Sequence, residues 1–224
     1  MSTKTKAFLW LIVTFPVLGL VLFLSAGTAA WFAGWIYLAF LCAFSVANNL
    51  WLLRNNPGLL EERIRFNFQE TWDKSFLAAF YVLFSVWFIL MPLDAVRFHW
   101  SRMPVWLHTA GAVILVFSFY IFFLTFRENP YVSTAVRVQE DRGQRVVTTG
   151  PYRHVRHPMY AGAFLYLLGT SLLLGSWYGV LFEPIFVIMI AVRAVLEERL
   201  LRKKLKGYKD YMAKVKYRFI PHIW

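Results

Sequence analysis

Long stretches of this 224-residue chain carry no formal charge. There is none between Lys6 and Arg54, between Lys74 and Asp94, or between Arg102 and Arg127. About 20 apolar residues cross the hydrocarbon core of a bilayer, so each gap is long enough for a span and the first is long enough for two. Charged residues make up only 16% of the chain, against about a quarter in soluble domains, which excludes an ordinary soluble domain. Cysteine is nearly absent. Cys42 lies alone in an apolar run, which excludes a disulfide framework and a cysteine-based metal site, and it reads as a small core or lipid-facing residue. Acidic residues are scarce, 12 against 24 Lys and Arg, for a net charge of +12. The basic residues fall between and after the apolar runs, where cytoplasmic loops and anionic headgroups favour them, so nucleic-acid binding is set aside.

What is abundant is apolar and aromatic surface, 59% and 19% of residues, with a mean hydropathy of +0.51. These values predict an all-α polytopic transmembrane bundle of about six membrane segments. The first span is expected from Ala7 to Ser25, with Pro16 tolerable inside a membrane helix, and Gly27-Thr28 marks a tight turn. The second runs from Ala30 to Leu53 and stops at Arg54-Asn55-Asn56-Pro57-Gly58, a strong turn signal. The polar segment from Leu59 to Lys74 is compatible with either a short amphipathic surface helix or a solvated loop. The third span covers Ser75 to Leu93. The fourth runs from Pro104, a good first helical residue, to Phe126, with His108 read as interfacial. An ordered loop follows from Arg127 to Thr149, and its end, Val146 to Thr149, reads as a short strand or an extended lead. A fifth apolar segment reaches Leu174, Gly175 to Gly179 forms a hairpin tip, and a sixth segment returns through Pro184 to about Leu196. Glu183, near the tip, reads as interfacial.

The amino terminus, Lys4 and Lys6 before an apolar run, is like a signal peptide. It lacks a convincing cleavage site, so a retained first span is expected. With that end inside, every Lys and Arg lies on the inner side except Arg97 and Arg102 outside and Arg193 in the last span. This bias predicts both termini in the cytoplasm. Residues 1–126 then form the N-terminal transmembrane helices, and 127–224 a C-terminal part with the polar loop, the hairpin and the basic tail.

Two polar clusters stand out. Gly150 to Tyr160 holds two arginines, two histidines, two tyrosines and two prolines in eleven residues, at the mouth of an apolar segment. Polar groups there are costly unless something binds them. The second cluster is Arg193-Ala194-Val195-Leu196-Glu197-Glu198. On a continuous helix Arg193 and Glu197 share a face and Glu198 lies about 100° further round. The predicted hairpin returns it to the same membrane face as the first cluster. Taken alone, Arg193 reads equally as an ordinary interfacial ion pair. The tail that follows interleaves basic residues with tyrosines, as in a helix gripping headgroups or one whose Tyr208 and Tyr211 wall a pocket.

In order, GPYRHVRHPMYAG from Gly150, a hydrophobic hairpin, EERLL from Glu197 and GYKDYMAKVKYRFIP from Gly207 resemble the isoprenylcysteine carboxyl methyltransferase family of integral membrane methyltransferases, its bacterial members above all. The likeness covers about Asn129 to Trp224, and Asn55-Pro57-Gly58 with Glu61-Glu62-Arg63 adds to it. Phospholipid N-methyltransferases and, by fold, part of certain sterol reductases belong to the wider relationship. The resemblance implies an integral protein of a bacterial inner membrane that uses S-adenosylmethionine. It places Tyr152, His157, Pro158 and Tyr160 in a first cofactor motif, and Glu197 and Glu198 in a paired-glutamate motif. His154 falls at a position that varies in the family and is not carried over. The glycine of the tail adjoins its first tyrosine, whereas the eukaryotic pattern has Phe-Gly further upstream.

Methyl transfer from a sulfonium mainly requires alignment, so the lack of an evident nucleophile and base pair does not oppose it. Tyrosine faces suit the sulfonium, Glu197 or Glu198 suits an ammonium or ribose diol, and His157 or an arginine suits the cofactor carboxylate. Arg193 is the candidate for orienting an acceptor carboxylate or lipid phosphate, with Glu197 as its catalytic companion. The expected partners are membrane lipids and an amphiphilic methyl acceptor. His154 and His157 hint at a metal, but Pro158 and the missing third ligand argue against one. The competing readings are a phospholipid-type N-methyltransferase, an NADPH-dependent reductase and a non-enzymatic lipid-binding protein.

Overall fold

The computed structural model describes residues 3–64, 68 and 70–224, and all regular structure among them is helical. In chain order the α-helices are α1 (Thr3–Ala26), α2 (Phe32–Asn55), α3 (Pro57–Ile64), α4 (Thr71–Pro92), α5 (Val105–Glu128), α6 (Pro158–Leu174), α7 (Trp177–Lys204) and α8 (Tyr208–Lys214). Five helices are long and apolar enough to cross a membrane: α1, α2, α4 with the π turn Leu93–Arg97, α5 and α7. The expected fifth segment, α6, has only 17 residues, short of a full crossing, and most of its second half is buried. Outward apolar side chains such as Ile12, Leu20, Val82, Phe117 and Ile188 are more than half exposed, as a lipid-facing surface requires.

The polar segment after α2 starts as α3, with Pro57 at its first position and Asn56 Oδ1 accepting from Leu59 N at 3.1 Å. Its continuation over 65–67 and 69, including Arg65, lies outside the described residues. Val146 to Thr149 forms no strand and leads extended into the 3₁₀ turn Gly150–Arg153. α4 begins at Thr71, four residues before the expected Ser75, which brings Asp73 into its first turn. α7 runs past Leu196 to Lys204 as one helix, so the second polar cluster sits on continuous helix.

The short connections α1–α2, α4–α5 and α6–α7 meet at one end. Arg97 Nη1 donates to Leu24 O at 3.2 Å, and buried Asp94 accepts from Ser101 and Ser176, each at 2.6 Å. Ser176 also caps α7 by accepting from Gly179 N, and Gly175, at φ +81°, ends α6 in the left-handed conformation that favours glycine. His108 is not merely interfacial, since its Nδ1 lies 2.8 Å from Leu173 O and its ring fills the space beside Gly175.

Close α5–α6 packing holds the middle. A Cβ on Gly111 would run into the backbone of Leu173 and Gly169, and Ser118 donates to Gly162 O at 2.8 Å. Small residues of this kind let membrane helices approach closely. Around this seam Trp87, Phe186, Tyr37 and Leu115 are fully buried, and Trp87 Nε1 reaches Gly179 O at 3.0 Å. The opposite end collects α3, the loop 129–157, α8 and the tail, and there the polar groups gather. Arg137 ties α3 to the loop with two bonds to Glu62, at 2.7 and 2.8 Å.

Candidate functional site

The first cluster is shaped by its backbone. Gly150 has φ +55°, and a Cβ there would meet the Glu128 side chain, so only glycine suits this corner. The turn that follows buries Tyr152, whose hydroxyl accepts from Asn129 Nδ2 at 2.9 Å. Pro158 opens α6, and His157 and Tyr160 then stack at 5.3 Å between ring centroids.

About two to three turns before its end at Lys204, α7 presents Arg193 and Glu197 to a cavity also lined by Tyr152, His157 and Tyr160 and closed by Tyr208 and Tyr211 of α8. Tyr160 Oη donates to Glu197 Oε2 at 2.7 Å, joining the two clusters directly. His157 Nδ1 lies 3.9 Å from the same oxygen. Glu197 keeps 26% of its side chain exposed.

Pro158 and Glu198 do not line the cavity. Glu198 is 3% exposed, with Oε1 held by Arg156 Nε at 2.7 Å and His157 Nε2 at 3.2 Å, and Oε2 held by Arg218 Nε at 3.0 Å. Both oxygens are thus spent on protein. The pair Glu197-Glu198 divides into one carboxylate facing the cavity and one clamping the tail.

The tail is docked along its backbone. Tyr217 O and Arg218 O accept from the amides of Arg156 and His157, each at 2.9 Å, and Arg156 Nη1 bonds the carbonyls of Val215 and Lys216. Phe219 is buried against His157, Tyr160 and Phe164. Gly207, at φ +83°, turns the chain into α8, where Tyr211 Oη donates to Tyr152 O at 2.7 Å and its ring packs 5.8 Å from that of Tyr208. Burial pushes the hydroxyls of Tyr152, Tyr208 and Tyr211 well above the usual phenol range. These phenols are neutral donors at any physiological pH.

Sequence reasoning missed Asp73. It is fully buried, accepts from Arg193 Nε at 3.0 Å and from Val136 N at 2.7 Å, and so ties α4, the loop and α7 together. Arg193 Nη2 also donates to Thr134 O at 2.7 Å, and the guanidinium lies 5.4 Å from the Phe76 ring centroid. The available signal was a lone carboxylate in the first turn before an apolar run, where a helix N-terminus favours negative charge. Asn129 and Arg145 also line the cavity without having been singled out. Among the described residues no group of three or more His, Cys, Asp or Glu is gathered to hold a metal.

Residues 106–207 match the phospholipid methyltransferase family model. The chain is 26% identical over 191 residues to a protein-S-isoprenylcysteine O-methyltransferase of Dictyostelium discoideum, covering 80% of this chain and 74% of that protein. It is 34% identical over 85 residues to the Schizosaccharomyces pombe protein of the same name, covering 37% of this chain and 36% of that one. With the apolar helical bundle, these likenesses define an integral membrane methyltransferase. Over these stretches the chain is similar to phospholipid and isoprenylcysteine methyltransferases alike.

Proposed function

We propose that the protein transfers a methyl group from S-adenosylmethionine to the carboxylate of an amphiphilic, lipid-like acceptor, as in the O-methylation of a prenylated cysteine. The observation that carries this reading is the placement of one polar cavity, lined by Tyr160, Arg193, Glu197, Tyr208 and Tyr211, at the end of an otherwise apolar bundle. An acceptor with an apolar tail and a charged head fits such a boundary.

The residues present suit the donor. Glu197 has no Lys or Arg partner among the described residues and faces the cavity, which suits an ammonium or a ribose diol. The tyrosines offer π faces to a cation. When bound, S-adenosylmethionine would supply a methyl group to the acceptor carboxylate oxygen in line, the C–O bond forming as the C–S bond breaks and S-adenosylhomocysteine leaves. The chain's work is then alignment, worth several kcal/mol when reacting atoms are held at near-attack distance. Arg193, held by Asp73 and Thr134 O, orients the acceptor head. Tyr160 fixes Glu197, and α8 with the docked tail covers the donor and excludes water. A carboxylate needs no general base, which agrees with a cavity that pairs no nucleophile with a base. Lys and Arg collect at the site end, with Arg97 at the other, which supports a site on the cytoplasmic face.

The family model's description favours one competing acceptor, an aminophospholipid. Purified protein incubated with methyl-labelled S-adenosylmethionine and either an S-prenylated N-acylcysteine or phosphatidylethanolamine decides between them. The expected product is a base-labile methyl ester of the acid. Base-stable label in the phospholipid alone would overturn the carboxylate assignment.

A further inference from the structure

Four arginines line the cavity, and three of them are already neutralised. Arg137 is paired with Glu62 and with Asp141 at 2.9 Å. Arg156 is paired with Glu198 and two carbonyls of the tail. Arg193 is paired with Asp73 and Thr134 O. Arg145 differs: among the described residues it has no ion pair and no hydrogen-bonded side chain, and it stands exposed at the cavity's rim. The acidic side of the cavity mirrors this. Glu197 accepts a hydrogen bond from Tyr160 but forms no ion pair with Lys or Arg among the described residues. Among the described residues, one cavity guanidinium is then left without an ion pair, and Glu197 has Arg193 near it but not paired to it.

We propose that Arg145 is the carboxylate subsite of this cavity. A guanidinium recognises a carboxylate through two parallel N–H···O bonds, which requires an unspent donor fork. To offer two parallel N–H donors, any other cavity arginine would first have to break a buried or half-buried ion pair, leaving its old partner charged and unpaired, so Arg193 can orient an acceptor head only through an N–H that its bonds to Asp73 and Thr134 O leave over. Arg145 meets no such obstacle, and its exposed position lets the side chain swing onto a ligand. It follows Gln144, whose Oε1 accepts from Gln139 N at 2.7 Å and steadies the backbone next to it. The subsite rests on the methyl-transfer reading and sharpens it. The carboxylate belongs either to the amino-acid end of the donor, with Glu197 taking the ammonium, or to the acceptor head.

Calorimetry on the full chain in detergent, with S-adenosylhomocysteine and with 5′-methylthioadenosine, which lacks the amino-acid end, separates these sources. If the donor supplies the carboxylate, Arg145→Ala weakens S-adenosylhomocysteine by about tenfold or more and leaves 5′-methylthioadenosine unchanged, and Arg145→Lys recovers part of the loss. If the acceptor supplies it, both nucleosides bind Arg145→Ala as they bind wild type, while KM for an S-prenylated N-acylcysteine rises about tenfold at unchanged kcat. Affinities and KM all within twofold of wild type overturn the subsite and leave the methyl-transfer reading standing. A wild-type protein giving no saturable heat with S-adenosylhomocysteine overturns that reading and the subsite with it.

Discussion

Asp73 and Arg193, 120 residues apart in the chain, meet across the α4–α7 seam with Nε 3.0 Å from Oδ1. Arg193 is one of the cavity's lining residues, so the carboxylate that aims it lies outside the motifs that define the site. Asp73→Ala leaves a buried guanidinium unpaired and is expected to cost about 3–5 kcal/mol of stability, read as a lower unfolding midpoint in detergent. Asp73→Asn keeps an acceptor for Val136 N but removes the charge. It is expected to bind S-adenosylhomocysteine within about twofold of wild type while kcat drops at least about tenfold. Equal losses in binding and turnover would mean that Asp73 supports the fold alone.

Tyr160 and Glu197 form the direct link between the two clusters, at 2.7 Å. Tyr160→Phe keeps the ring stacked on His157 but withdraws a hydrogen bond from a charged group. Such bonds are worth about 1.5–3 kcal/mol, so donor-product affinity should fall by about 10- to 100-fold in calorimetry. The unfolding midpoint should move little, because Glu197 remains in contact with the open cavity. An unaltered affinity would show that Glu197 needs no help to keep its position.

Glu197 and Glu198 are chemically identical neighbours with opposite surroundings. Glu198→Gln weakens the clamp on Arg156 and Arg218, and amide hydrogen exchange over residues 215–224 should quicken along with a loss of stability of about 3–5 kcal/mol. Glu197→Gln should leave exchange in the tail as it is and lower S-adenosylhomocysteine affinity. If both variants loosen the tail equally, the division of labour between the two carboxylates is wrong.

The charge-free gaps placed α1, α2, α4 and α5 to within a few residues, because a bilayer demands long apolar runs and tolerates little else, whereas α7 runs on to Lys204, well past the expected Leu196. Helical periodicity was enough to put Arg193 and Glu197 on one face, and the return of the hairpin brought them to Tyr160. Three features were hidden. Asp73 adjoins Lys74 and reads as a loop charge until α4 is seen to begin at Thr71. Which glutamate faces the cavity depends on the roll of α7 against α6 and on where the tail docks, and neither has a local signature. The tail reads as a helix gripping lipid headgroups or as one whose Tyr208 and Tyr211 wall a pocket, because its basic residues alternate with aromatics. Part of its attachment runs through the backbone amides of Arg156 and His157, which every residue type except proline supplies.

The phenols of α8 give the site a pH dependence of definite sign. Burial raises Tyr208 and Tyr211 above the ordinary value of 10.0, so the folded state holds these protons more tightly than the unfolded chain. The stabilisation is therefore fully present below about pH 10, the unfolded pKa, and is lost as pH rises beyond it. S-adenosylhomocysteine affinity and the unfolding midpoint should show no phenolate titration between pH 8 and 10, and the midpoint should fall steeply above that. Tyr208→Phe and Tyr211→Phe should each make that alkaline fall shallower. Tyr211→Phe should also lower the midpoint at neutral pH, because it deletes the bond to Tyr152 O. A transition centred near pH 9 that vanishes in Tyr208→Phe would mean that this phenol ionises in the folded protein.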